Sequence, residues 1–206
     1  MTTTEMISEP IEGFQSRMSE SDFEAWALRA NVNAEWVDGE VILMAPSNED
    51  HSEAVNWLFV LLKMFVDKHQ LGRAMQTDFM VRLPKRRRLP DLFFVSKNSK
   101  AKFTRTYLQG APDLIVEIVS PDSESRDWRD KYLDYQSAGV REYWVIDPAS
   151  QSAEFYALKR GKYAPMAVND GVIRSQVVAD FWIKVDWLWQ HPSPNVYELA
   201  KELGIV

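Results

Sequence analysis

An acid placed in the middle of an apolar run demands a partner. Glu117 lies between Ile115-Val116 and Ile118-Val119, a pattern typical of a strand buried on both faces. A carboxylate buried there is costly unless it is ion-paired or bound to a metal. Two readings therefore stand: Glu117 pairs with a buried Arg or Lys, or it is a ligand of a hard cation. Asp91 favours the second. It follows Pro90 and opens the preceding apolar stretch, so on neighbouring strands the two carboxylates would converge. Asp113 competes for the role, but four residues along the same strand is ~13 Å at ~3.3 Å per residue, too far to share one ion. Asp91 and Glu117 are thus the expected metal pair. The expected ion is Mg²⁺, with Mn²⁺ as substitute, its octahedron completed by waters and a phosphate. This is the usual arrangement for phosphodiester hydrolysis.

A cation beside such a pair would orient the attacking water or neutralise the transition state. Val119, two residues after Glu117 on the same strand face, occupies the place where a strand-borne lysine would point. Lys131 is the replacement: three residues from Trp128 and four from Tyr135, it lies beside the inward face of the following helix. A solvated helix lysine is the alternative reading. The chain has 206 residues and a net charge of −6, yet residues 79–106 hold nine basic residues against one acid. That segment is formally +8, and the rest of the chain is −14. Within it, Lys85, Arg86, Arg87 and Arg88 read either as a solvated hairpin tip or as a nucleic-acid contact beside Asp91.

The elements that must position these residues follow from periodicity. A tail over residues 1–17 precedes a single domain over 18–206. Ser19 and Ser21 offer N-caps, Ser21 with Glu24 as a capping box, and Phe23, Trp26, Ala27 and Ala30 recur at helical spacing, which predicts a first helix. Alternation around Asp38-Gly39 predicts a hairpin. Apolar positions from Val55 to Val66 predict a long helix from about Asn48 to Gln70, stopped by Gly72. Strands follow over 74–83 and 91–96, with 97–110 as a loop. Next comes a strand–helix–strand unit from 113 to 147, its helix capped by Ser123 or Ser125 and closed by Gly139. A meander near 153–168 and a short helix over 196–203 complete the chain. The order indicates an α/β (mixed α+β) fold, a mixed sheet flanked by helices.

Composition narrows the function. The absence of cysteine removes disulfides, thiolate nucleophiles and Cys-ligated zinc, and agrees with a cytoplasmic location. No apolar run approaches the ~20 residues that cross a bilayer, so no membrane partner is expected. The Trp and Tyr residues recur with core periodicity. A glycosidase-like pair, Glu35 with Glu40, is a third reading, but the two fall on opposite faces of an unbroken strand.

The segments Leu89-Pro90-Asp91 through Val95, Ala111-Pro112-Asp113 through Pro121, Asp130-Lys131-Tyr132 through Tyr135, and Gly139 through Pro148 together resemble the Uma-two family. This is a restriction-endonuclease-like branch of the PD-(D/E)XK nuclease superfamily. Asp38-Gly39-Glu40 followed by His51 resembles its N-terminal signature. The resemblance implies a restriction-endonuclease-like core, a divalent metal on Asp91 and Glu117, and a catalytic lysine moved to Lys131. It also implies that Glu40 and His51 line the pocket as a further acid and an auxiliary ligand or phosphate contact. The implied function is a metal-dependent DNA endonuclease, with a homodimer if both strands are cut. A nuclease-fold binding module without cleavage is the alternative that Val119 keeps open.

Overall fold

The computed structural model describes residues 15–44, 48–76, 78–119 and 126–206. Most of the expected tail, and the caps expected at Ser123 and Ser125, lie outside these residues.

Of the two candidate caps of the first helix, α1 (Glu20–Ala30), Ser19 is the N-cap, its side chain accepting the Asp22 N–H. The hairpin β1 (Ala34–Val37) and β2 (Glu40–Leu43) forms around Asp38-Gly39, both with positive φ as a tight turn requires. The long helix α2 (Glu49–Lys68) starts at the N-cap Asn48 and buries Val55, Leu58, Leu62, Phe65 and Val66.

The single strand expected over 74–83 is two strands in two sheets. They are β3 (Gly72–Gln76) and β4 (Met80–Leu83), and Asp78 ahead of β4 has φ 71°. The cationic run is itself a strand, β5 (Arg86–Arg88), with Lys85 at positive φ in the turn that joins it to β4. After β6 (Leu92–Ser96), the expected loop contains a short hairpin, β7 (Lys102–Phe103) and β8 (Tyr107–Gln109). The strand–helix–strand unit forms as expected. β9 (Leu114–Ile118), every residue of it buried, leads through a π-helical turn, Arg126–Lys131, into α3 (Tyr132–Ala138) and then parallel β10 (Glu142–Asp147). The chain continues through β11 (Ser152–Lys159), β12 (Lys162–Pro165), a small pair β13 (Val172–Arg174) and β14 (Trp182–Lys184), and α4 (Val196–Glu202).

Two six-stranded sheets carry the architecture. The first has the order β2-β1-β5-β4-β8-β7, and the second β12-β11-β10-β9-β6-β3. One face of the second sheet packs on α2 and α4 through Leu58, Leu62, Phe94, Val116 and Trp144. Its other face packs toward the first sheet and α3 through Val81, Phe93, Ile115, Tyr135 and Tyr143. Covered on both sides, β6 and β9 are near-continuous apolar runs, which is why Glu117 stands out. Among the described residues, no helix is long and apolar enough to cross a membrane.

Gly72 makes the closest backbone approach in the second sheet. A Cβ there would lie 2.1 Å from the Val95 carbonyl oxygen and 2.8 Å from Ser96 Cα. Both obstacles are backbone of β6, so Gly72→Ala must push β3 off its partner. We expect it to lower stability by ~1–3 kcal/mol, read as a lower urea midpoint at unchanged slope.

Candidate active site

β6 and β9 are antiparallel neighbours with Leu92 opposite Val116, so the next position of the register sets Asp91 opposite Glu117. The condition on which the expected pair depended is met. The Asp91 side chain is 15% exposed. Its Oδ2 accepts the Ile118 N–H at 2.7 Å, and its Oδ1 lies 3.2 Å from His51 Nε2. His51 stands in the first turn of α2, its own backbone N–H donating to the Asn48 cap at 2.8 Å. The cap thereby fixes the histidine's approach to Asp91.

Glu117 is 1% exposed. Its Oε2 accepts from Lys131 Nζ at 2.8 Å and its Oε1 from the Tyr135 hydroxyl at 2.6 Å. Lys131 is itself buried and lies at the end of the π-helical turn, four residues before Tyr135. The widened turn and the first turn of α3 thus present an ammonium and a phenol to one carboxylate. Burial, with the charges of Glu117 and Glu35, pushes the Tyr135 phenol well above its usual range, so it remains a donor to Glu117. The first reading of Glu117 therefore holds, since it pairs with a buried lysine, and across the register it faces a second carboxylate.

The further acid is Glu35. Expected to line the pocket, Glu40 is exposed on the edge strand β2, because the hairpin turns it to the face away from the core. Glu35 on β1 is 1% exposed. Its Oε2 accepts from Arg88 at 2.6 Å, its Oε1 accepts the Leu89 N–H at 3.0 Å, and Lys131 Nζ lies 3.8 Å away. Burial alone would raise its pKa. Lys131, Arg88 and the Leu89 N–H outweigh burial and hold the carboxyl below its usual value. The signal for Glu35 was the one that found Glu117: an acid between buried neighbours, Ala34 and Trp36, on a strand.

The cationic run also departs from expectation. Arg87 and Arg88 are each 1% exposed, so neither is a solvated tip nor open to a phosphate backbone. Arg87 pairs with Glu20 and Glu24 of α1. Arg88 pairs with Glu35 and with Asp134 of α3, and Arg86 donates to Asp134 at 2.9 Å. A strand covered on both sides can hold three consecutive arginines only because acids meet them from α1, β1 and α3. Lys85 alone keeps the surface position, exposed and 4.0 Å from Asp38. Asp113, set aside on distance, accepts Arg141 at 2.7–2.9 Å and the Ser96 N–H at 2.6 Å, a structural role at the other end of β9.

The donor set can be checked against a hard divalent ion. Each carboxylate oxygen offers two lone pairs. Glu117 accepts Lys131 on one oxygen and Tyr135 on the other, and Asp91 accepts the Ile118 N–H on Oδ2, with His51 Nε2 3.2 Å from Oδ1. Among the described residues no group of three or more His, Asp and Glu is arranged to hold a metal. Magnesium needs only one or two carboxylates where waters and phosphates supply the rest, and the pair fits on that basis.

A mixed sheet thus carries two facing acids at one end, with a lysine on one of them. The profile of the Uma2 family, described as "Putative restriction endonuclease", matches residues 20–186, and the chain belongs to that family. A crystal structure described as "a putative nuclease belonging to DUF820" from Anabaena variabilis ATCC 29413 shares the fold. It has a TM-score of 0.64 and 18% identity over 77% of this chain and 90% of that one. No curated protein matches the sequence.

Proposed function

We propose that this chain is a divalent-metal-dependent DNA endonuclease that hydrolyses phosphodiester bonds at Asp91, Glu117 and Lys131. The observation that carries the reading is the register that sets Asp91 opposite Glu117, with Lys131 Nζ 2.8 Å from the latter. Asp91 and Glu117 would hold Mg²⁺, or Mn²⁺ in its place, which when bound lowers the pKa of a water and shields charge on the phosphate. Lys131, a compact ammonium with three donors, spends one on Glu117 and turns another toward the charge that grows on phosphorus-bound oxygen. Tyr135 holds the second oxygen of Glu117, so that carboxylate does not swing. His51 fixes Asp91 from α2. The Arg88–Glu35 pair and Asp134 lock β5, β1 and α3 together, and with them the approach of Lys131. Cutting both strands of a duplex needs two such sites, so the reading includes a homodimer.

The test is purified protein on supercoiled plasmid with Mg²⁺, Mn²⁺ or chelator. Nicking with metal and none with chelator is expected; metal-independent nicking would overturn the assignment. Lys131→Met, which keeps length and burial, is expected to slow single-turnover cleavage by ~10²–10³-fold while binding in chelator is unchanged.

A second reading has one observation in its favour. Val119 is 7% exposed and packs in the core with Val140 and Tyr143, so the strand itself supplies no cation. A non-cleaving module would bind DNA with a steep salt dependence and no metal-dependent turnover.

A further inference from the structure

Nine cations lie between residues 79 and 106, and the fold divides them. Arg82, Arg86, Arg87 and Arg88 are matched by Glu20, Glu24, Glu35 and Asp134, and Lys85 approaches Asp38. Lys97, Lys100, Lys102 and Arg105 remain. All four are exposed, as is Arg73 on the adjoining β3. Among the described residues, none of the five lies within ion-pair distance of a carboxylate.

Their surroundings keep that charge unanswered. The sequence from Leu92 to Pro112 contains no acid. The two acids that line the adjoining grooves are engaged, Asp67 with Lys63 and Asp113 with Arg141. In a chain with 30 acids to 24 bases, a surface of five unanswered cations departs from the whole.

The surface is also built. Two grooves of about 560 and 470 Å³ adjoin there and share Ser96, Ser99 and Ala101 in their walls. Arg73 and Lys97 line the first, and Lys100 and Arg141 the second. The Arg73 guanidinium lies 3.9 Å over the Phe103 ring, which restrains it. Thr104 Oγ1 accepts the Tyr107 N–H at 3.0 Å and donates to the Tyr107 carbonyl at 2.8 Å. That fixes the β7–β8 hairpin which carries Lys102 and Arg105.

We infer that this surface, formed by Arg73, Lys97, Lys100, Lys102 and Arg105, binds the phosphate backbone of duplex DNA. The inference rests on the proposed nuclease reading and replaces the contact expected at Lys85–Arg88. Lys97 follows the C-terminal end of β6 and Asp91 precedes its N-terminal end, six residues or ~20 Å apart. The surface is therefore a docking site separate from the place of cutting. It touches the sugar-phosphate backbone and carries no base preference.

The test is fluorescence anisotropy with a labelled duplex of about 30 base pairs in chelator, which prevents cleavage, over a range of salt. The surface variant is Lys97→Glu/Lys100→Glu/Lys102→Glu. The charge-matched control is Lys159→Glu/Arg160→Glu/Lys162→Glu, on the exposed β11–β12 hairpin at the opposite edge of the second sheet. Thermal melts establish that both are folded, and the milder Lys→Gln triple of the surface stands in if the Glu triple is not. The surface variant is expected to bind at least tenfold more weakly. Its log–log salt slope should be shallower by about two to three, at ~0.9 for each phosphate that the protein no longer neutralises, while the control binds within about twofold of wild type. Unchanged binding of the surface variant, or equal weakening in both variants, overturns the inference. Metal-dependent nicking by wild type would in that case still support the nuclease. Wild type that neither binds nor nicks DNA overturns both.

Discussion

Asp91→Asn is expected to lower metal-dependent cleavage at least roughly a thousandfold, the ~4 kcal/mol of transition-state stabilisation that a held metal supplies, and to leave the fold intact. The choice of asparagine follows from the geometry. Asp91 Oδ2 accepts the Ile118 N–H at 2.7 Å, and alanine would leave that donor unanswered at ~1–3 kcal/mol, mixing a stability effect with the chemical one. Asparagine keeps a carbonyl oxygen for Ile118, removes the charge that would hold a cation, and turns an amide NH2 in place of Oδ1 toward His51. Single-turnover nicking and a urea titration on the same preparation separate the two quantities. Nicking that persists near the wild-type rate in purified Asp91→Asn would remove Asp91 from the chemistry.

Glu35→Ala is expected to be the most destabilising change in the site, by ~3–5 kcal/mol. It leaves the Arg88 guanidinium with Asp134 alone, orphans the Leu89 N–H, and takes from Lys131 the carboxylate 3.8 Å away. The measurement is the urea midpoint at neutral pH. Acidity supplies a second check. The folded carboxyl lies below its ordinary value of 4.5, so its stabilisation is full above that value and is lost as pH falls through the lower, folded one. The gap in stability between wild type and Glu35→Gln should therefore be widest near neutrality and narrow on acidification below about 4.5. A gap that widened instead would mean that the carboxyl is held protonated.

What could be read ahead of the structure depended on how each residue betrays its surroundings. Glu117 was legible because its neighbours on both sides are apolar. Asp91 was legible because a proline and a strand end fix its place in the register. Lys131 needed both helical spacing and the family likeness, since spacing alone does not separate a pocket lysine from a solvated one. Arg87 and Arg88 were not legible. Their burial depends on Glu20, Glu24, Glu35 and Asp134, acids 46 to 67 residues away, and local composition carries no trace of such pairings. The same limit joined β3 and β4 into one strand: the apolar alternation continues through Asp78, and only the assembly of two sheets shows that the chain changes layer there. Glu35 was legible in principle. Its strand is short, and the Asp38-Gly39-Glu40 motif drew the choice to the exposed acid.

The two sheets have a consequence for the order in which the protein comes together. Glu117 belongs to the second sheet and Asp91 immediately precedes its strand β6, Glu35 and Arg88 belong to the first, and Lys131 to the turn before α3. A chain in which only β6, β9 and β10 had paired would hold two facing acids, without the Arg88–Glu35–Asp134 clasp that fixes the lysine. On the proposed reading, the fixed lysine that cleavage requires is in place only once the two layers have docked.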